Sequence, residues 1–96
     1  MIFELLLEGE QNAIPAKQLC KMLDINSRIL TQQIERERRA GKPIAAKCGE
    51  NPGYFIAANR REMQDYCGRL YHRAGEIFKT RRACMATIDS LPAGEV

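Results

Sequence analysis

The chain has little of the chemistry that metal sites and disulfide scaffolds need. Its 96 residues include one histidine, His72, and four cysteines at positions 20, 48, 67 and 84, with no Cys-x-x-Cys pair. Structural zinc usually takes two close ligand pairs, and secreted disulfide scaffolds are denser in cysteine. We therefore expect no metal site. Three of the cysteines lie on helical apolar stripes, which predicts that they are small core residues.

Other absences narrow the class of protein. No run of about 18 apolar residues could span a membrane, and residues 1–7 lack a basic leader and a cleavage site, so we expect a cytoplasmic protein. The sequence has no glycine-rich phosphate-binding loop. It also offers no set of nucleophile, base and orienting residue that would include His72. The sequence therefore predicts neither an enzyme nor a site for a cofactor or small-molecule ligand.

Positive charge is concentrated in the middle of the chain, although the formal net charge is only +3. Residues 1–24 carry two basic and four acidic side chains, residues 25–60 carry seven and three, and residues 61–96 carry six and five. The middle segment thus holds an excess of four positive charges. A nucleic-acid surface needs such a local excess, although basic helices are also common on plain solvated faces.

In the first half of the chain, two short helices are predicted before one longer helix, and two short strands are predicted after it. The apolar spacing predicts helices at residues 2–8 and 16–23, the first of them ending at Gly9. Residues 43–46 and 54–57 have the character of two strands, joined by a turn rich in glycine, proline and asparagine. The pattern indicates a mainly α-helical fold with a small β-hairpin.

The helix between these elements has the clearest amphipathic pattern. Asn26 or Ser27 can cap it, because either side chain can accept a hydrogen bond from the first turn, and Gly41 suits its end. Leu30 and Ile34 are four residues apart and are predicted to face inward. Polar and basic side chains then cover the opposite face.

A long helix is predicted after Asn59, which forms a capping-box pattern with Glu62. Its apolar or small positions alternate four and three residues apart up to about residue 91, with Arg81 as the one polar interruption. This heptad seam consists of Met63, Cys67, Leu70, Ala74, Ile77, Cys84, Ile88 and Leu91.

The seam is too long to be covered by residues 1–58, because a helix of about 30 residues extends about 45 Å. We expect it to form a homodimer. The alternative is a monomer in which Tyr66, Leu70 and Phe78 pack back on the first helix. Gly68 and Gly75 each weaken the helix by about 1 kcal/mol relative to alanine, so they indicate close helix approach or a bend.

Residues 4–56 resemble the winged-helix DNA-binding domain of the biotin repressor and related bacterial repressors. The shared features are an apolar first helix ending near Gly-Glu, a small residue, Cys20, where two helices cross, a recognition helix ending in glycine, and a hairpin ending in Gly53 and Tyr54. The family usually has leucine where this chain has Glu37, for which we expect a salt bridge to a basic residue under the long helix. The whole chain also looks like small DNA-binding proteins of phages and prophages.

The resemblance implies a winged helix-turn-helix domain at residues 1–58. The seam predicts that the long helix at 59–91 serves for dimerisation, and we expect a disordered tail at 92–96. The resemblance places the third helix in the major groove, where Arg28 and Gln32 would read base edges. Lys47 and Asn51 of the wing would enter the minor groove or touch the backbone. The residues expected to hold phosphates are Lys17, Ser27, Thr31, Arg36 and Arg39.

We therefore expect sequence-specific binding of double-stranded DNA by a phage or prophage transcriptional regulator or an accessory factor in DNA metabolism. The alternative is a protein-interaction module that uses the same fold and the seam without binding DNA. The two functions differ in their dependence on salt, since each neutralised phosphate adds about 0.9 to the log–log slope of DNA affinity.

Overall fold

The architecture is mainly helical, with one antiparallel hairpin and a long last helix, as the sequence predicts. The computed structural model describes residues 1–94, so residues 95 and 96 of the expected tail lie outside the described residues. The chain divides into two compact units, Met1–Tyr66 and the residues from Cys67 onward. The main elements are α1 (Ala16–Leu23), α2 (Ser27–Arg39), β1 (Ile44–Lys47), β2 (Gly53–Ile56) and α3 (Arg60–Met85).

The first segment is not the helix predicted at residues 2–8. It forms one 3-10 turn, Phe3–Leu5, after which the backbone is extended. The Ile56 amide donates to the Leu7 carbonyl at 2.8 Å, and the Gly9 amide donates to the Ile56 carbonyl at 2.9 Å. A helix of two turns is marginal by itself, so pairing with the free edge of β2 prevails.

β2 consequently has neighbours on both edges. β1 pairs with it in antiparallel register, with Ile44 opposite Ile56 and Lys47 opposite Gly53. On the other edge, Ile14 and Tyr54 exchange two backbone hydrogen bonds of 2.8 and 2.9 Å. The two predicted strands are confirmed to within one residue at each end.

Local hydrogen bonds define both ends of α2. The carboxamide oxygen of Asn26 accepts a first-turn amide at 2.9 Å, which confirms the predicted cap. At the other end Gly41 has a φ of 101°, and the amides of Gly41 and Lys42 donate back to the carbonyls of Arg38 and Glu37 at 3.0 Å. This is a Schellman motif, in which glycine is favoured because the left-handed conformation strains other residues.

The first unit has one main core and a smaller second cluster. The main core contains the buried side chains of Ile2, Leu6, Leu19, Leu30, Ile34 and Ile44. Leu30 and Ile34 face inward as predicted, each 1% exposed. In the second cluster Tyr66 packs with Ala45 and Phe55 of the hairpin, not on the N-terminal segment as the monomer alternative placed it.

Asn59 and Glu62 organise the start of α3. The Asn59 carboxamide oxygen accepts the Glu62 amide at 3.0 Å, as predicted. The Glu62 carboxylate accepts the amides of Ala58 at 2.8 Å and Glu10 at 3.1 Å. In a usual capping box the carboxylate would accept the amide of Asn59, but here it accepts that of the preceding residue. The same carboxylate also binds the segment before α1.

α3 ends at Met85 and not near residue 91. The Thr87 amide and hydroxyl both donate to the Cys84 carbonyl, at 3.1 and 2.7 Å, which tightens the final turn. Ile88 begins a separate 3-10 turn and Leu91 follows it, so neither belongs to the helical seam. Of the helices in residues 1–94, α3 included, none combines the length and apolar character needed to cross a lipid bilayer.

The cysteines are only partly core residues. Cys20 is half-buried against the main core, whereas Cys48, Cys67 and Cys84 are exposed, and all four are free thiols. The prediction of core positions is therefore wrong for Cys67 and Cys84. The spacing of apolar residues along a helix predicts an apolar face, but it does not show whether the core of the same chain covers that face.

Candidate nucleic-acid interface

One face of α2 carries most of the sequence-predicted DNA contacts. We call Arg28, Thr31, Gln32, Arg36 and Arg39 the α2 face, and all five are exposed. Four of them, all except Arg28, line a single shallow depression of about 400 Å³ together with Glu35. Because Leu30 and Ile34 are buried on the other side of the helix, this face points to solvent.

Several members of the α2 face have weak local partners. The Thr31 hydroxyl donates to the Ser27 carbonyl at 2.9 Å, and Arg36 donates to the Gln33 carboxamide at 3.1 Å. Arg39 forms an exposed ion pair with Glu35 at 3.4 Å. Exposed pairs of this kind contribute about 0–1 kcal/mol. An anionic ligand could therefore replace them at low cost.

Arg28 and Gln32 have no such partners. Within residues 1–94 neither side chain makes a hydrogen bond or an ion pair. They are four residues apart in the N-terminal half of α2 and thus lie on the same side of the helix. Their donors and acceptors are free for an external group.

The fold also brings together two lysines that are far apart in sequence. Lys17 at the start of α1 and Lys47 at the end of β1 line one depression of about 370 Å³, beside Tyr54. The backbone pairing of Ile14 with Tyr54 draws the hairpin to the start of α1 and so produces this arrangement. Asn51 is exposed in the hairpin turn with a φ of 52° and lines neither depression.

Arg38, which stands between two predicted contact residues, has a structural role that was not predicted from the sequence. Its Nε donates to the Ile44 carbonyl at 2.8 Å, and its guanidinium lies 4.5 Å from the centre of the Tyr66 ring. Arg38 is half-buried and joins α2 to the hairpin and to the start of α3. The available signal was its position four residues after Ile34, on the inward side of the helix.

Glu37 is buried, at 8% exposure, and its partners are amides. Its carboxylate accepts the backbone amides of Ile2 and Phe3 at 2.9 and 2.8 Å and the Gln33 carboxamide at 2.8 Å. The expected salt bridge under the long helix is wrong, because the first amides of a helical turn have no helical acceptor and take the carboxylate instead. Burial acts to raise the pKa of Glu37, but the three hydrogen bonds and the positive amino terminus outweigh it and lower the pKa below its ordinary value.

No protein-family model, curated protein or solved structure matches this chain. The chemistry of the chain's own residues indicates the class of ligand. That chemistry consists of guanidinium, amide and ammonium groups on exposed surfaces of the first unit, several of them without partners among residues 1–94. Such groups recognise ligands that are rich in phosphate and in hydrogen-bonding edges.

Proposed function

We propose that this protein binds double-stranded DNA in a sequence-specific manner through the α2 face. The observation that carries the proposal is the pair Arg28 and Gln32, which are exposed and have no partners among residues 1–94. Gln32 lines the same depression as Arg36 and Arg39. An α-helix fits the major groove, which is about 12 Å wide. The resemblance to winged-helix repressors supports the same orientation of α2.

Each group in the proposal has a distinct task. Arg28 pairs with guanine and Gln32 with adenine, because each side chain can make two hydrogen bonds to the major-groove edge of that base. The remaining α2 positions and Ser27 hold the DNA backbone. Lys17 and Lys47 bind phosphates from their shared depression, and Asn51 contacts the backbone or the minor groove at the tip of the hairpin.

The proposed biological role is that of a phage or prophage transcriptional regulator or an accessory factor in DNA metabolism. The rival is a protein-interaction module that does not bind DNA. Selection of bound duplexes from a random pool distinguishes the two. Enrichment of a defined motif supports the proposal, and the absence of any duplex shift at low salt contradicts it.

Removing the base-reading pair is the direct test of the α2 face. With the selected duplex, the double variant R28A/Q32A is expected to lose about 2–6 kcal/mol of binding free energy, because two bidentate contacts disappear. The matched control R61A/Q64A removes the same two groups from the exposed start of α3 and should bind within about twofold of the parent. Fluorescence anisotropy titrations measure both. Equal losses in the two variants would overturn the assignment.

The depression lined by Lys17 and Lys47 gives a prediction about the salt dependence of DNA binding. Lys17→Ala and Lys47→Ala should each reduce the slope of log affinity against log salt by about 0.9, because each lysine neutralises one phosphate. Lys79→Ala, which removes an exposed lysine from the second unit, is the control and should leave the slope unchanged. The measurement is a series of titrations at increasing potassium chloride. A slope that stays constant in the first two variants would show that the depression holds no phosphate.

A further inference from the structure

An exposed apolar face runs along α3 within the second unit. Its large side chains are Leu70, Tyr71, Ile77, Phe78 and Met85, which are between 38% and 85% exposed. They recur at intervals of seven residues, as the pairs 70 and 71 and then 77 and 78, with Met85 one further heptad along. With 3.6 residues per turn, these positions form one continuous face of the helix.

Small residues lie between the large pairs. Cys67 and Ala74 follow the line of Leu70 and Ile77, whereas Gly68 and Gly75 lie beside Tyr71 at the edge of the face. A Cβ built on either glycine meets no atom within 4 Å. Each glycine weakens a helix by about 1 kcal/mol relative to alanine. No part of residues 1–94 therefore covers this edge of the face.

We propose that a second copy of the chain covers this face, with the two α3 helices antiparallel and the two-fold axis between residues 75 and 76. Ala74 then lies opposite the partner's Ile77, and Leu70 lies opposite the partner's Arg81. Cys67 lies opposite the partner's Cys84. Ile77 of each copy thereby fills the space beside the small Ala74 of the other. This inference does not depend on DNA binding.

The antiparallel direction follows from size and charge. A parallel pair would place Arg81 beside the partner's Arg81, and like charges that face each other across an interface are destabilising. It would also set Ala74 against the partner's Ala74, a small layer at the centre of the contact, whereas the antiparallel pair sets the larger Ile77 there. In the antiparallel pair the guanidinium of Arg81 instead meets the partner's Leu70 and the partner's Tyr71, whose ring can accept it in a cation–π contact.

The available area suits a second copy. The five large side chains expose roughly 600 Å², taking about 200 Å² for a large side chain. That equals the largest apolar patches of ordinary monomers, and the intervening small residues and the arginine stems extend it toward the roughly 800 Å² per partner of a standard interface. At the centre of the contact, Ile77 meets the partner's Ala74 and Ala74 meets the partner's Ile77, so a large side chain faces a small one on both sides of the axis.

Disulfide formation tests the register, because Cys67 and Cys84 are exposed free thiols. They are about 25 Å apart along one helix and so can react only between copies. In the full chain carrying C20A and C48S, mild oxidation should convert most of the protein to a covalent dimer. Adding C67S or C84S should abolish that product, since no cysteine lies opposite itself. Equal crosslinking of the single-cysteine chains would instead show a parallel pair and overturn the proposal.

Sedimentation tests the interface without cysteine chemistry. Ala74→Glu places a charge at the centre of the proposed contact, and Ala83→Glu places the same charge on the opposite side of α3. We expect Ala74→Glu to weaken the dimer at least tenfold, while the parent and Ala83→Glu remain dimeric. Circular dichroism establishes that both variants keep the helix. A monomeric parent at millimolar concentration, or an unchanged dimer in Ala74→Glu, would refute the proposal.

Discussion

Replacing Glu37 with leucine is expected to destabilise the first unit by about 3–5 kcal/mol. The carboxylate accepts the amides of Ile2 and Phe3 and the Gln33 side chain, and hydrogen bonds to a charged group contribute about 1.5–3 kcal/mol each. Leucine would leave these donors without an acceptor, and Ile2 is buried. Urea denaturation followed by circular dichroism measures the loss.

The neighbouring Glu35 provides a matched control for this substitution. It lies on the exposed side of α2 and makes one weak ion pair with Arg39. Glu35→Leu should therefore change the free energy of unfolding by no more than about 0.5–1 kcal/mol. Similar losses for the two variants would mean that the Glu37 hydrogen bonds do not hold the N-terminal segment.

The same carboxylate makes stability depend on pH. Its pKa is lower in the folded chain than the ordinary value of 4.5, so the unfolded chain binds more protons at this position. The contribution is fully present above the unfolded pKa and is lost as the pH falls through the folded pKa. The difference in stability between the parent and Glu37→Gln is thus expected to be constant near neutral pH and to shrink below pH 4.5. A difference that does not change on acidification would contradict this.

Gly53→Ala is expected to lower the free energy of unfolding by about 2–5 kcal/mol. A Cβ at this position would lie 2.6 Å from both the carbonyl carbon and the oxygen of Ile14 and 3.0 Å from the Pro15 nitrogen. These are backbone atoms, so the hairpin must move away and weaken the paired hydrogen bonds between Ile14 and Tyr54. Overpacking and the lost bonds together account for the magnitude.

Two measurements identify that cause. Amide hydrogen exchange should show faster exchange at Ile14 and Tyr54 in Gly53→Ala, in addition to the lower denaturation midpoint. The control is Gly94→Ala, where a Cβ meets no atom within 4 Å and the change should stay within about 0.5 kcal/mol. Unchanged exchange at the two amides would exclude the close approach as the cause.

Local chemistry explains which elements could be predicted from the sequence. The start and end of α2 depend on Asn26 and Gly41, whose effects act within one turn. The hairpin follows from turn-forming residues between two apolar runs. The helix predicted for the N-terminal segment is wrong because the conformation of this segment depends on the edge of β2, which lies more than 40 residues away in sequence. The spacing of apolar residues alone does not distinguish a short helix from an extended segment that pairs with β2.

In the candidate site, too, features that depend on one helix could be predicted from the sequence, and features that depend on distant contacts could not. The exposure of Arg28 and Gln32 follows from the amphipathic pattern of α2, which is a property of one helix. The shared depression of Lys17 and Lys47 exists only once the hairpin has closed on the start of α1. Arg38 could not be separated from its basic neighbours by composition, since its role depends on the ring of Tyr66.

The placement of β2 between two backbone neighbours has a consequence for behaviour at high concentration. Its sequence Gly-Tyr-Phe-Ile is the kind of short apolar strand that recruits strands from other molecules when an edge is open. Here one edge is taken by β1 and the other by the segment that includes Leu7, Gly9 and Ile14. The outer strand, β1, has four residues, and its Ile44 carbonyl is engaged by Arg38. Both edges of β2 are thereby closed to strands from other molecules.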